Sequence, residues 1–589
     1  MADGHAMTGA DALIHSLDAE GVTTIFGYPG GAIMPVYDAL ERSTAAMKHV
    51  LMRHEQGAVH AAQGWARVKG QAGVCFATSG PGAANLLTGI ADAYMDSTPV
   101  VCITGQVFEH LLGSDAFQEL DVISMAAPVT KWCIQVTQAA DIAPAVAKAF
   151  YVAQSGRPGP VLIDITKNAQ MEVCEWRHNR CISVPAYQAL PKLDVAAVEQ
   201  AAELINQAQK PLLIFGQGVT LSGAESLLSD LLSLLPMPAA STALGLSALP
   251  SDHPCLIGML GMHGHYAANK MTNECDVLIA MGMRFDDRVT SDLSKYARQA
   301  KVVHFDIDAS EINKNVATDV AVVADLKASL ASLMPHLKAK VYEPWWAQHN
   351  QHQSLEQQQV TVTDLVSTAS DELMTMAVVV RALNEQFNDA IWVTDVGQHQ
   401  MVACRYAKLK SKRCWVTSGG LGTMGFCLPA ALGAQMAAQQ SAKPKPVVAV
   451  VGDGGLQMTV QEMAVLKQHQ IPVKVVVMNN EYLGMVRQWQ ELYFEQRYAE
   501  TAIENPDFCA LAAAYGIDNQ QVDSHKALVS AITTMANHNG PYLLEVRVKK
   551  EGNVFPIITP GASVSEMQLS TVMETTIEQN NPINSGEQQ

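Results

Sequence analysis

Short runs of β-branched and aliphatic residues recur along the chain: VCFAT, PVVCIT, PLLIF, DVLIAMG, KVVHFDI, PVVAVV and PVKVVV. They lack the apolar–polar alternation of half-exposed strands, so each predicts a strand buried on both faces. A Gly-rich turn and an Ala-rich helical stretch follow each run. This succession predicts an α/β fold of doubly wound parallel sheets. One faint long repeat stands out: GVCFATSGPG, a helix, then TPVVCITG lies opposite VVAVVGDGG, a helix, then IPVKVVV. Ser79 to Pro99 and Gly452 to Pro472 both span 20 positions. The spacing predicts two domains on one βαβ plan, each with its turn at the carboxyl edge of the sheet, where α/β proteins bind ligands.

Between the repeats, a different α/β segment starts near Lys210 and fades by about Leu337 into EPWWAQHNQHQSLEQQQ. That polar, Gln-rich stretch predicts a linker. The expected organisation is three domains, 1–185, 186–345 and 371–575, with a linker over 346–370 and a frayed tail over 576–589. A chain of 589 residues is too long for one core. With 48% apolar and 16% charged residues it has the composition of a globular enzyme.

Charge narrows the function. The 39 basic against 57 acidic residues give a net charge of −18, which repels phosphate backbones and argues against nucleic-acid or anionic-membrane partners. Eleven cysteines carry no CxxC or Cys/His ligand spacing and are expected as core residues of a reduced protein. The start, MADGHAMTGADALIHSL, lacks the basic and apolar regions of a signal peptide, and no 18-residue uncharged apolar stretch occurs. A cytoplasmic, soluble protein is expected.

The chemistry concentrates in GDGGLQMTVQEMAVLKQHQIPVKVVVMNNEYLGM. Asp453 follows a buried strand and Asn480 ends the next, 27 positions later. A carboxylate and an amide oxygen at adjacent strand ends suit Mg²⁺, which takes few protein ligands and completes its shell with phosphate oxygens and water. Gly452, Gly454 and Gly455 leave the backbone room to approach a diphosphate. A GDG alone would be an ordinary turn; the whole strand, turn, helix, strand and Asn-Asn arrangement is specific.

That arrangement resembles the thiamine-diphosphate motif of the pyruvate decarboxylase and acetohydroxyacid synthase superfamily. Further strings from FGYPGGAIMPVYDAL through RHEQGA, ATSGPGA, DAFQE, GRPGPV, GMLGMHG, RFDDRVT, GLGTMGF and MVRQWQ to PGASVSEM resemble the FAD-containing acetohydroxyacid (acetolactate) synthase large catalytic subunits, of the bacterial isozyme II type. The resemblance implies an N-terminal pyrimidine-binding domain, a central FAD-associated domain and a C-terminal diphosphate- and Mg²⁺-binding domain. It implies Asp453, Asn480 and the main-chain carbonyl of Tyr482 as Mg²⁺ ligands. Glu55 would hydrogen-bond a ring nitrogen of the aminopyrimidine, and an unpaired carboxylate in its small, apolar helical surroundings needs such a partner. Val396, Gly397, Gln398, His399, Gly422, Gly454, Gly455 and Met485 match other cofactor contacts. Met424 matches the bulky residue that folds the cofactor into a V, although between glycines it could equally be packing.

By the same resemblance Arg157, His263, Arg284, Asp306 and Asp325 contact FAD. A carboxylate ending a strand, as Asp306 does, can accept ribose hydroxyls. No GxGxxG turn is present, so the residues alone do not lead to a dinucleotide. Arg288 is a candidate carboxylate clamp and Trp489 a candidate wall preferring 2-ketobutyrate to pyruvate. Phe117, Gln118, Met262 and Lys167 match further residues of that region. The chain departs from the family at Thr166-Lys167-Asn168, where Pro-Lys-Asp is usual, and at Gly455-Leu456, where Ser-Phe is usual. The implied reaction decarboxylates pyruvate and joins the two-carbon fragment to a second pyruvate or to 2-ketobutyrate. The implied assembly is a homodimer or tetramer with shared active sites and a small regulatory subunit. Another thiamine carboligase, or a non-catalytic regulatory subunit, remains the alternative.

Overall fold

The computed structural model describes residues 5–177, 179–365 and 373–570. All seven apolar runs are strands, and they fall into three parallel six-stranded sheets. The N-terminal sheet runs, in space, Lys48–Leu51, Thr24–Gly27, Gly73–Ala77, Val100–Gln106, Pro160–Thr166, Trp132–Val136. The C-terminal sheet runs Trp415–Thr417, Ile391–Thr394, Val447–Gly452, Lys474–Asn479, Tyr542–Arg547, Asp518–Val522. Counted along the chain, both have the order 2-1-3-4-6-5. The repeated segments are the third and fourth strands of each, parallel neighbours in register from Gly73 opposite Val100 and from Val448 opposite Lys474.

The middle sheet has a different order, 3-2-1-4-5-6, with Pro211–Phe215 beside Val277–Met281 at the point where the order reverses. This is the order of dinucleotide-binding sheets, and ligands in such sheets bind at that crevice. The turn after the first strand is Gly216-Gln217-Gly218, without a third glycine. Both glycines are required by contact: a Cβ on Gly216 would stand 2.4 Å from the Gly282 carbonyl oxygen, and one on Gly218 2.5 Å from Gly282 Cα.

The N- and C-terminal units share a core through the helices Glu55–Lys69 and Cys427–Gln439. Their glycines interlock, since a Cβ on Gly64 would meet the Ala430 carbonyl at 1.9 Å and one on Gly433 would meet that of Ala61 at 1.8 Å.

The segment expected as a linker, 346–370, is helical where it is described. A helix runs Glu343–Glu356, a π-helical turn Gln357–Thr361 and a short helix Val362–Leu365. Pro344 begins it within the first turn, where a missing N–H costs nothing. Trp345 is 1% exposed and its indole donates to the Pro211 carbonyl at 2.9 Å, while Trp346 donates to Pro236 at 2.8 Å. One buried and one half-buried indole, both hydrogen-bonded to the middle unit, convert a polar sequence into a strut. The remainder of that segment and the tail expected over 576–589 lie outside the described residues.

Candidate active site

At the carboxyl edge of the C-terminal sheet a cleft of about 710 Å³ opens between the third strand's turn and the helices that follow its neighbours. Val396, Gly397, Gln398 and His399 line one wall, at the end of strand Ile391–Thr394 and the start of helix Gln398–Tyr406. Asp453, Gly454 and Gly455 form the floor as the first turn of helix Asp453–Thr459. Asn480, Tyr482, Met485 and Met424 complete it. Gly422 stands beside Val396, with a φ of +72° that a side chain would strain.

The electrostatics suit a cation with a phosphate. Asp453 is 2% exposed, and burial raises its carboxyl above the ordinary range. Its partners are neutral donors: Asn505 Nδ2 at 2.8 Å and the main-chain N–H groups of Gly454 and Glu481 at 3.0 and 2.8 Å. Asn480 is 6% exposed and its Nδ2 has no partner in the chain. A buried carboxylate facing no positive group is the environment a divalent ion relieves. Among the described residues no group of three or more His, Cys, Asp or Glu could hold a metal, so any ion here rests on one carboxylate and neutral oxygens. Burial pushes the His399 imidazole down to about 4, leaving it neutral at neutral pH with Nε2 unpartnered. Gly454 gives the floor its shape, since a Cβ there would stand 2.9 Å from Met424 Cε.

The other expected site residues lie in three separate places. Glu55, 9% exposed, begins the helix Glu55–Lys69 and accepts from Asn85 Nδ2 at 2.9 Å. It does not line the cleft of its own chain, nor do Phe117, Gln118 and Lys167. Phe117 is 88% exposed, and Gln118 has a φ of +60° against Gly80. Lys167 Nζ lies 5.7 Å from the Phe108 ring centre. Arg288 and Met262 meet on the middle unit, with Nη1 3.6 Å from Met262 Sδ and the Met262 N–H bonded to the Arg288 carbonyl at 2.7 Å. Trp489 sits four residues beyond Met485 on helix Gly484–Tyr493, on the same face, its ring against Tyr493 at 5.2 Å.

A second cleft, about 890 Å³, occupies the crevice of the middle sheet. Arg157, Arg284, Asp306 and Asp325 line it; His263 does not, being 7% exposed with an unpartnered Nδ1 elsewhere in the middle unit. Arg157 pairs with Glu311 at 2.6 Å and Asp308 at 3.1 Å. Burial pushes Asp306 up to about 6. Asp325 caps helix Leu326–Leu333 through the Ala328 N–H at 3.1 Å and accepts from Ser222 Oγ at 2.9 Å. The sequence expectations do not include Gly216 and Gly218, which line this cleft together with Gly282. Their signal is a GxG directly after the strand PLLIF, weak because the third glycine is absent.

Also missed were the residues that hold the cleft's outer loop. Asp92, from the N-terminal unit, accepts from Ser418 Oγ and from Thr423 Oγ1 at 2.9 Å. Asp96 accepts from the N–H groups of Gly419 and Gly420 at 2.9 and 2.6 Å and pairs with Arg67 at 2.6 Å.

Three family models match in order: the N-terminal thiamine pyrophosphate binding domain over residues 7–125, the central domain over 198–333 and the C-terminal binding domain over 395–546. The chain is 45% identical to the acetolactate synthase isozyme 2 large subunit of Escherichia coli, over 95% of this chain and 99% of that protein. The chain belongs to the acetolactate synthase large-subunit family of thiamine pyrophosphate enzymes. It is also 41% identical to the acetolactate synthase large subunit of Lactococcus lactis, over 95% of this chain and 96% of that one. A probable acetolactate synthase large subunit of Methanocaldococcus jannaschii is 41% identical, over 95% of each. The N-terminal match takes in four of the six strands of its sheet, from Thr24–Gly27 to Val100–Gln106, and the C-terminal match falls in the other sheet of like strand order, beginning just after its strand Ile391–Thr394. No helix among the described residues is long and apolar enough to cross a membrane.

Proposed function

We propose that this chain is the catalytic subunit of an acetolactate synthase. It decarboxylates pyruvate and joins the two-carbon fragment to a second pyruvate, giving 2-acetolactate, or to 2-ketobutyrate, giving 2-aceto-2-hydroxybutyrate, on the route to valine, leucine and isoleucine. The observation that carries this reading is the C-terminal cleft, with buried Asp453 and Asn480 facing a glycine floor, in a chain similar to acetolactate synthase large subunits along 95% of its length.

Thiamine diphosphate supplies the electron sink for decarboxylation. Asp453, Asn480 and the Tyr482 carbonyl would hold Mg²⁺, and Gly454 and Gly455 would leave room for the phosphates. Val396, Gly397, Gln398, His399, Gly422, Met424 and Met485 would enclose the cofactor's rings. Glu55 accepts and returns a proton at the aminopyrimidine. Because Glu55 stands outside its own chain's cleft, a second copy delivers it, and the active unit is a homodimer or a multiple of one. Phe117, so exposed in one chain, is covered in that assembly. Gln118 and Lys167 arrive with Glu55.

Arg288 binds the carboxylate of the second ketoacid, with Met262 beside it, and Trp489 walls the pocket for its alkyl group. One methylene of burial is worth about 1 kcal/mol, enough for selectivity on the order of tenfold between 2-ketobutyrate and pyruvate. FAD occupies the middle cleft, where the strand order, the close-packed glycines and Asp306 suit a dinucleotide. The reaction has no net redox change, so the flavin's role is structural. The relatives named as large subunits support a small regulatory partner, and bacterial relatives support a cytoplasmic location.

The test is acetolactate formation from pyruvate by the purified, cofactor-stripped chain, with each of thiamine diphosphate, Mg²⁺ and FAD omitted in turn. Dependence on all three supports the reading in full. Indifference to FAD after flavin removal limits the middle cleft to another ligand, and no product with all three present and a small subunit added refutes the reading.

A further inference from the structure

Glu462 is fully buried and belongs to the C-terminal unit, yet its carboxylate is spent on the N-terminal one. Both oxygens accept from the main-chain N–H of Arg53 at 3.2 Å. Arg53 lies two positions before Glu55, in the turn that enters helix Glu55–Lys69. The helix start is fitted to this carboxylate: a Cβ on Gly57 would stand 2.4 Å from Glu462 Oε1. The Arg53 guanidinium is committed elsewhere, to Gln468 Oε1 at 2.7 Å and the Leu51 carbonyl at 2.9 Å. Glu462 therefore acts on the course of the backbone at the helix start.

Its origin gives this contact a use. Helix Asp453–Thr459 begins with the carboxylate on the cleft floor, and the 3₁₀ turn Val460–Glu462 extends it. One short rod thus carries Asp453 at one end and the support of the Glu55 turn at the other. Glu55 takes a single hydrogen bond from Asn85 in its own chain, so its height and angle follow its backbone. A reacting group displaced by about 1 Å can lose on the order of 100-fold in rate.

We propose that Glu462 is a positioning residue for Glu55, fixing the turn that presents that carboxylate to the cofactor of the partner copy. The inference rests on the reading of Glu55 given above. Glutamine at 462 keeps the shape but sets an NH₂ donor against the Arg53 N–H, so the turn shifts without a cavity being made.

The measurement is exchange of the cofactor's C2 proton in D₂O, acid-quenched and read by NMR, on the thiamine diphosphate and Mg²⁺ loaded dimer. Glu462→Gln is expected to slow exchange by roughly 10- to 100-fold, with cofactor affinity, read by tryptophan fluorescence, changed by less than about threefold. Glu55→Gln should slow it at least as much, and the double variant no further, since both act through one group. Normal exchange in Glu462→Gln alongside slow exchange in Glu55→Gln overturns the inference and leaves the reading of Glu55 standing. Normal exchange in Glu55→Gln overturns that reading and the inference with it. Exchange and affinity falling together in Glu462→Gln also overturn the inference, because the residue would then serve its own chain's cleft. Should the glutamine variant not fold, Glu462→Asp, which withdraws the carboxylate by one methylene, takes the same readouts.

Discussion

Asp395 ends the first strand of the C-terminal unit and accepts from the N–H groups of Val396, Gly425 and Cys427. It is fully buried, and that burial pushes its carboxyl up to about 7 from the ordinary aspartate value of 3.8. Between those values the folded protein binds more protons than the unfolded one, so this group's contribution is full below about pH 4 and lost as pH rises through about 7. Glu462, pushed up to about 7, and Asp164, pushed up to about 6, act in the same direction. Urea unfolding midpoints should therefore decline from pH 5 to pH 8, and Asp395→Asn should make the decline shallower. The asparagine also turns a donor toward the Gly425 N–H, so thiamine diphosphate affinity is expected to fall about tenfold, read by fluorescence quenching. Asp453 is set apart by the proposed Mg²⁺, which would answer its charge. Asp453→Asn should weaken Mg²⁺ activation by on the order of 100-fold in a metal titration, and chelation of the parent should abolish activity until Mg²⁺ is restored.

At the scale of elements, the loop from Ser418 to Gly425 takes its course from the N-terminal helix Leu87–Met95 and the residue just after it, through Asp92 and Asp96. Asp96→Asn leaves Arg67, which is 9% exposed, without its carboxylate. Breaking one side of a buried pair costs about 3 kcal/mol, so a lowered calorimetric midpoint is expected, with weaker cofactor binding because Gly422 and Met424 ride on the freed loop. None of this was legible in the sequence. Asp92 and Ser418 are 326 positions apart, and Arg53 and Glu462 are 409 apart, and no local pattern records such partners. The strands were legible because burial on both faces writes continuous apolar runs. The floor of the C-terminal cleft was legible because Asp453, Gly454 and Gly455 sit directly at a strand end, where sequence spacing is spatial spacing. That Glu343–Glu356 is a helix was not legible for the opposite reason: its polar face dominates the composition, while its order comes from Trp345 and from Glu356, paired with Arg405 at 2.6 Å. That pair also reaches the middle unit, since Arg405 donates to the Gly264 carbonyl and Glu356 accepts from the Tyr266 N–H.

For the whole molecule, the question is which copy supplies each half of a site. Within one chain the N- and C-terminal sheets pack through helices Glu55–Lys69 and Cys427–Gln439, a contact that leaves Glu55 outside the C-terminal cleft. In the dimer proposed above, a second copy brings its N-terminal edge to the first copy's C-terminal one, and twofold symmetry makes the reverse hold as well. Complementation measures this directly. At Mg²⁺ just sufficient for the parent, Glu55→Gln and Asp453→Asn chains are each expected to be nearly inactive as homodimers. Unfolded together and reassembled in equal amounts, about half the dimers are mixed, and each mixed dimer has one site with both lesions and one with neither. Activity should recover to about a quarter of the parent's, and sedimentation should find dimers or their multiples. Were both halves of a site drawn from one chain, every site in the mixture would still carry a lesion and no activity would return.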